Sequence, residues 1–247
     1  MKAAPEDQRR LLDLQTVDTA LAQVNHRRAA LPETGEAKEL ATRRARLAER
    51  MVEADTHLAD LTADAAKAEA DIVPVRERRE RNQRRVDAGE LTDPKALAAM
   101  VEEISNLDRR TDDLELVQLE AMEAVDQAQA KLDALTDKKV ELEGTLREVL
   151  TVREGKLAEL DAERSAHEAE RATVLAALPA ELVELYAKVA AKLGGVGAAL
   201  LQRGRCTGCQ LEANAADLVR YREAPADEVL RCEECNRILI RTDESGL

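Results

Sequence analysis

The sequence predicts a mainly α fold: a long antiparallel coiled-coil helical hairpin followed by a small β-rich module at the C-terminal end. Three observations predict it. Apolar residues recur at alternating steps of three and four along two long stretches. Only two aromatic residues occur in 247, Tyr186 and Tyr221, with no Phe or Trp. All four cysteines, Cys206, Cys209, Cys232 and Cys235, fall near the C-terminal end as two Cys-x-x-Cys pairs.

The stepping runs through Leu14, Val17, Leu21 and Val24, then Leu40, Leu47, Met51, Ala54, Leu58, Leu61, Ala65, Ala68, Ile72 and Val75. It resumes at Leu97, Met100, Ile104, Leu107, Leu114, Ala121, Val125, Ala128, Leu132, Leu135, Leu142, Leu146 and Val149, and returns at Val174 and Leu178. An average spacing of about 3.5 residues keeps one stripe facing a partner helix over many turns, the seam of a left-handed coiled coil. The scarcity of aromatics agrees, because an ordinary globular core draws much of its buried area from them.

Between the two arms lies VDAGELTDPKAL. Gly89 suits the left-handed cap of an ending helix, Asp93 caps a new one, and Pro94 fits its first position. This places a hairpin tip near residues 88–94. A symmetric fold-back there pairs arms of about 85 residues, each about 125 Å long at 1.5 Å per residue. Pro32 and Gly35 predict a break in the first arm, opposite the stretch of the return arm bracketed by Gly144 and Gly155, so a hinge in both arms is expected. Pro74 predicts a kink nearer the tip, splinted by the opposite arm. The expected domains are a kinked hairpin over 1–193, a linker over 194–200 carrying GGVGAAL, and a small module over 201–247. Within that module, DEVLRC and RILIRT read as two short strands around a knuckle, and Asn214 caps a short helix in NAADLVRY.

Cys206 and Cys209, then 22 intervening residues, then Cys232 and Cys235, form a metal-ligand pattern. A two-residue gap lets both thiolates of a tight turn face one ion, and two such turns supply four sulfurs about 2.3 Å from zinc. With four corners filled there is no place for a reactive water, so the site reads as structural: one Zn2+ per chain, with iron in a rubredoxin-like set as the alternative. A module of about 45 residues without large aromatics also needs such a staple to fold.

Three stretches, RGRCTGCQLEANAADLVR, EVLRCEECNRILIRT and LTDPKALAAMVEEISNL, make the chain resemble the bacterial C4-type zinc-ribbon proteins with a long N-terminal coiled-coil hairpin. The resemblance implies an elongated helical hairpin carrying a zinc ribbon. It also implies roles in nucleic-acid binding, transcription-factor control or flagellar and secretion apparatus. Residue by residue it extends only to the four cysteines. Where that family often has Gly after the last cysteine, this chain has Asn236, which also tolerates a left-handed turn.

A net charge of −13 opposes general attraction to nucleic acid or anionic membrane. Local patches remain candidates. Val75 to Arg85 holds six arginines and two glutamates, with Arg78, Arg81 and Arg85 on one helical face. The C-terminal module offers Arg203, Arg205, Arg220, Arg222, Arg231, Arg237 and Arg241 against nine carboxylates. Tyr221 is its only residue able to stack on a base, so nucleic-acid contact there is expected to be backbone-dominated and salt-sensitive.

No catalytic constellation is present. His26, His57 and His167 stand singly on helical stretches, and there is no phosphate loop, dinucleotide fingerprint or nucleophile elbow. The expectation is a cytoplasmic, non-enzymatic adaptor, monomer or homodimer, with no membrane span and no small-molecule substrate. It binds RNA, DNA or a nucleic-acid-associated complex through the ribbon and basic patches. The alternative is a coiled-coil scaffold that regulates a transcription or secretion component through a protein partner.

Overall fold

The computed structural model describes residues 1–247 and consists of five helices and four short strands. The helices are α1 (Pro5–Ala29), α2 (Pro32–Asp87), α3 (Pro94–Ala176), α4 (Ala180–Lys192) and α5 (Ala215–Glu223). The strands are β1 (Ala198–Gln202), β2 (Arg205–Cys206), β3 (Leu230–Arg231) and β4 (Ile238–Ile240). Two compact units result, Gly35–Leu150 and the remainder, Met1–Thr34 with Thr151–Leu247. No helix is long and apolar enough to cross a membrane.

The Gly35–Leu150 unit holds the tip of the helical hairpin and the stretches of α2 and α3 that flank it. Leu40, Leu47, Ala68 and Ile72 of α2 are buried, as are Ile104, Leu114, Ala128, Leu135 and Leu146 of α3, matching the predicted seam. Leu97, counted in that seam, is 37% exposed. Burial on α3 starts only at Ile104, leaving its first turns in solvent. The tip forms as its residues dictate: Gly89 adopts φ +68°, and the Asp93 carboxylate accepts the Lys95 N–H at 3.2 Å.

Asn82 stands in line with the seam and is buried. α2 runs unbroken through Pro74.

Two expectations about the arms are corrected. Only the first arm breaks, between Ala29 and Pro32, whereas α3 passes through Gly144 and Gly155 without interruption. A helical glycine costs only about 1 kcal/mol, which the surrounding Glu, Leu and Arg outweigh. The pairing register also departs from a symmetric fold-back. Arg78 meets Glu103 as that rule requires, but Arg79 pairs with Asp108 and Arg28 with Asp161, about one to two helical turns beyond it. The late start of burial on α3 shifts the seam in this direction.

In the other unit, α1 lies along the end of α3, with Arg27 paired to Glu163 and Asp18 to Arg171, and Glu33 of the first turn of α2 pairs with Lys156. The four strands form one sheet in the order β2-β1-β4-β3, with β1 and β4 parallel and the outer pairs antiparallel. Strand alternation sends side chains to opposite faces, and here each face has its own core. Ala198, Ile238 and Ile240 join Leu11, Leu14, Leu182, Tyr186 and Val189 on the helical side. Ala199, Leu201 and Leu239 join Tyr221, Leu230, Cys206 and Cys232 on the other.

The linker expected over 194–200 is likewise corrected: it is held at almost every residue. Gly194 and Gly195 take φ +67° and +88°, closing α4, and β1 begins at Ala198. Gln15 of α1 clasps the segment: its carbonyl oxygen accepts the Gly197 N–H at 2.7 Å and the Ala198 N–H at 3.3 Å, while its amide donates to the Gly195 carbonyl at 3.1 Å. A Cβ on Gly197 would lie 2.8 Å from the Tyr186 ring, so glycine serves here for close approach rather than flexibility. The N-terminal end is tied in as well, since the Ala3 N–H donates to Asp227 and the Val229 N–H to Met1.

The Tyr186 hydroxyl donates to Asp18 at 2.8 Å. Burial, reinforced by that hydrogen bond, holds its pKa well above the usual tyrosine range. A raised pKa means that this contribution is complete below the ordinary value near 10 and fades as pH rises beyond it. Urea unfolding followed by circular dichroism should therefore show stability falling above about pH 10. Tyr186→Phe should have a shallower alkaline slope and cost about 1–3 kcal/mol at neutral pH. Gln15→Ala should expose the Gly197 and Ala198 amides to faster hydrogen exchange while the amides of Gly35–Leu150 are unchanged.

Candidate metal centre

The two Cys-x-x-Cys turns are built alike. In the first, the Gln210 N–H donates to the Cys206 carbonyl at 2.8 Å and the Cys206 N–H donates to Leu211 at 3.0 Å. In the second, the Asn236 N–H donates to the Cys232 carbonyl at 2.7 Å and the Cys232 N–H donates to Arg237 at 2.9 Å. The residue after each second cysteine is left-handed, Gln210 at φ +64° and Asn236 at φ +63°. Asparagine at such a position is a recognisable signal, glutamine is not. The equivalence of Gln210 was therefore hidden in the sequence.

The hairpin feeding the first turn reverses through Arg203 at φ +49° and Gly204 at φ +76°, a two-residue loop of the kind that matches strand twist. Gly208 sits where a Cβ would lie 2.6 Å from Arg237 Cδ and 3.0 Å from Ala199 Cβ. The second turn can thus press against the first only over a glycine. As predicted, Asn214 caps α5, accepting the Asp217 N–H at 2.9 Å.

Together these elements bring the four Sγ atoms within 4.8 Å of one another. Cys206 and Cys235 are 3.9 Å apart and Cys209 and Cys232 3.8 Å apart. A tetrahedron with sulfur about 2.3 Å from its centre has edges of about 3.8 Å, so the set fits zinc. The separations are far too long for disulfides, and all four thiols are free.

Burial raises the Cys206 thiol and pushes Cys232 up to about 12. Burial acts on Cys235 too, but hydrogen bonds from Arg237 and the neighbouring thiols outweigh it and bring that group to about 7. Metal loading replaces such protons, and four thiolates around one ion leave no open corner for substrate.

The candidate arginines are distributed differently from the cysteines. Arg241 donates to the carbonyls of Tyr221, Ala224, Pro225 and Glu228, and Arg237 to those of Val196 and Leu193. Arg231 grips the Asn236 carbonyl through two nitrogens. Arg205 pairs with Glu212, and Arg220 pairs with Glu233 while lying over the Tyr221 ring. Arg203 and Arg222 alone project without a partner. In the Gly35–Leu150 unit Arg78, Arg81 and Arg85 pair with Glu103, Glu77 and Glu90. His167 lies 3.4 Å from Glu170, and none of the three histidines joins a metal-holding cluster.

Metal analysis should find one zinc per chain, and Cys232→Ser should lose it along with the ribbon's hydrogen-exchange protection. Because thiols must lose protons to bind metal, zinc affinity measured against a competing chelator should rise from pH 6 to pH 8.

The comparisons with known proteins agree with this geometry. Residues 14–194 match the model of the CT398-like coiled coil hairpin domain, and residues 205–239 match the C4-type zinc ribbon domain. The uncharacterized protein Rv2229c of Mycobacterium tuberculosis is 33% identical over 243 residues, 98% of both chains. A solved Mycobacterium smegmatis structure is similar at a TM-score of 0.82 and 35% identity, covering 98% of this chain and 100% of that one. CT398 from Chlamydia trachomatis is similar in fold at a TM-score of 0.65 and 15% identity, covering 95% and 97%. With the ribbon family and the sulfur geometry in accord, the four cysteines hold one structural Zn2+, and the chain belongs to the CT398-like coiled-coil hairpin family with a C4-type zinc ribbon.

Proposed function

We propose that this protein is a non-enzymatic scaffold that works by holding partner proteins on its helical hairpin, with the zinc ribbon stabilising the unit of Met1–Thr34 and Thr151–Leu247. The observation that carries this reading is the engagement of the ribbon's arginines. Five of its seven guanidinium groups are tied to backbone carbonyls or carboxylates of the same unit. Their donors are thereby occupied within the fold, and nine carboxylates outnumber the seven arginines of the module. The hairpin, by contrast, exposes large apolar side chains, among them Leu116, Val117, Leu119 and Met122 of α3. Exposed apolar groups on a helical surface mark interaction sites more often than catalytic ones. The full set of thiolates around the metal supports a role without chemistry at zinc.

A second reading, contact with a nucleic-acid backbone, has one observation in its favour. Lys188 and Lys192 of α4 line a cleft of about 200 Å³ with Arg231 and Asn236, and neither lysine has an acidic partner. Anisotropy of labelled RNA and duplex DNA with the zinc-loaded protein, from about 50 to 200 mM salt, separates the two. The scaffold reading expects no saturable binding at about 150 mM salt, where a few phosphate contacts are largely screened. Tight, steeply salt-dependent binding that disappears in a Lys188→Gln, Lys192→Gln, Arg222→Gln variant with zinc retained would establish the nucleic-acid reading instead.

A further inference from the structure

We infer that the hairpin of Gly35–Leu150 receives an acidic amphipathic α-helix of a partner protein, in the groove between α2 and α3 alongside Leu40 to His57. This inference rests on the scaffold reading and supplies the partner's chemistry. Two hollows, of about 470 and 420 Å³, lie in succession along this stretch and share Arg50 and Lys138 as lining. Leu40, Leu47 and Leu142 face the first, and Ala54, Ala128 and Leu135 the second. The floor is shallow, because Leu40, Leu47, Ala128 and Leu135 are largely covered by the seam itself, and Leu142, Ala54 and the aliphatic stems of Arg50 and Lys138 supply its accessible apolar area.

The rim is cationic. Arg46, Arg50, Lys131 and Lys138 line the hollows, and none of them has an acidic partner in the chain. Arg43, also on the rim, is held by Glu39, while Glu53 and Glu141 are the carboxylates that line the groove. In a chain of net charge −13, four unpaired cations beside a leucine floor form a local reversal of sign. From Leu40 to His57 the groove extends about 26 Å, the length of a five-turn helix.

A helix laid there places its apolar stripe on the floor and its flanking carboxylates against the rim. The same cations attract phosphate, but a nucleic-acid strand gains nothing from leucines and is repelled by Glu53 and Glu141. The observations therefore favour a helix.

The test uses the full-length zinc-loaded protein and a fluorescein-labelled 18-residue peptide of Leu, Ala and Glu, with leucines at alternating steps of three and four. The same peptide with Lys in place of Glu is the control. The Glu peptide is expected to bind saturably at about 50 mM salt and the Lys peptide is not. The charge-reversed variant R46E, R50E, K131E, K138E should bind the Glu peptide at least about tenfold more weakly and should now bind the Lys peptide. If that variant loses its helical circular dichroism, R46Q with K138Q gives the same reading with a smaller change.

Absence of Glu-peptide binding, equal binding by the variant, or displacement of the peptide by duplex DNA would overturn the inference. Photo-cross-linkers placed at position 138 in the groove and at position 119 elsewhere on α3 separate this failure from failure of the scaffold reading. Protein adducts at 119 without any at 138 overturn the groove alone. Adducts at neither position overturn both.

Discussion

Tyr186 and Tyr221 are the only aromatic residues in the chain, and each is 1% exposed at the centre of a different core. The rest of the Met1–Thr34 and Thr151–Leu247 unit depends on this division. β1 and β4 form the wall between the cores, and neither core is large. Each tyrosine combines a large buried ring with a hydroxyl that must be satisfied. Tyr186 answers through Asp18, which also binds Arg171, so a single carboxylate joins α1, α3 and α4. Tyr221 places its hydroxyl 3.3 Å from the Arg231 carbonyl, between α5 and β3.

Cores this small do not fold a ribbon unaided. The four thiolates supply the missing cohesion on one side of the sheet, where Cys206 and Cys232 are themselves buried beside Leu201, Leu230 and Leu239. On the other side Ile238 and Ile240 pack against the helices. Each buried aliphatic side chain there contributes roughly 1.5–3 kcal/mol. The arginines complete the arrangement. Arg241 gathers four carbonyls from the end of α5 and the loop after it, a stretch with too few backbone donors of its own. A guanidinium with five donors in one plane suits this work, and lysine would not replace it.

The Gly35–Leu150 unit follows different physics. Its apolar seam sustains a long helix pair with little else, and its surface charge is uneven. Cations without partners line one groove, while Arg76, Arg78, Arg79, Arg81 and Arg85, nearer the tip, are paired with carboxylates. A helical surface of this kind discriminates partners by complementary charge more than by shape.

The sequence by itself determined the hairpin, its tip at Gly89 to Pro94, the cap at Asn214 and the metal ligands at Cys206, Cys209, Cys232 and Cys235. Each of these is local: a period, a cap residue or a two-residue spacing fixes it within a few neighbours. Tertiary structure alone decided the rest. The register of the arms depends on where burial begins on α3, which no short window contains. Gly197 looked like a flexible residue and is a contact with Tyr186, because glycine in sequence does not distinguish freedom from close approach. Three of the ribbon's arginines, Arg231, Arg237 and Arg241, are bonded to carbonyls that the chain brings to them from up to 44 residues away. Charge counts along a sequence cannot say which cations fold itself will use.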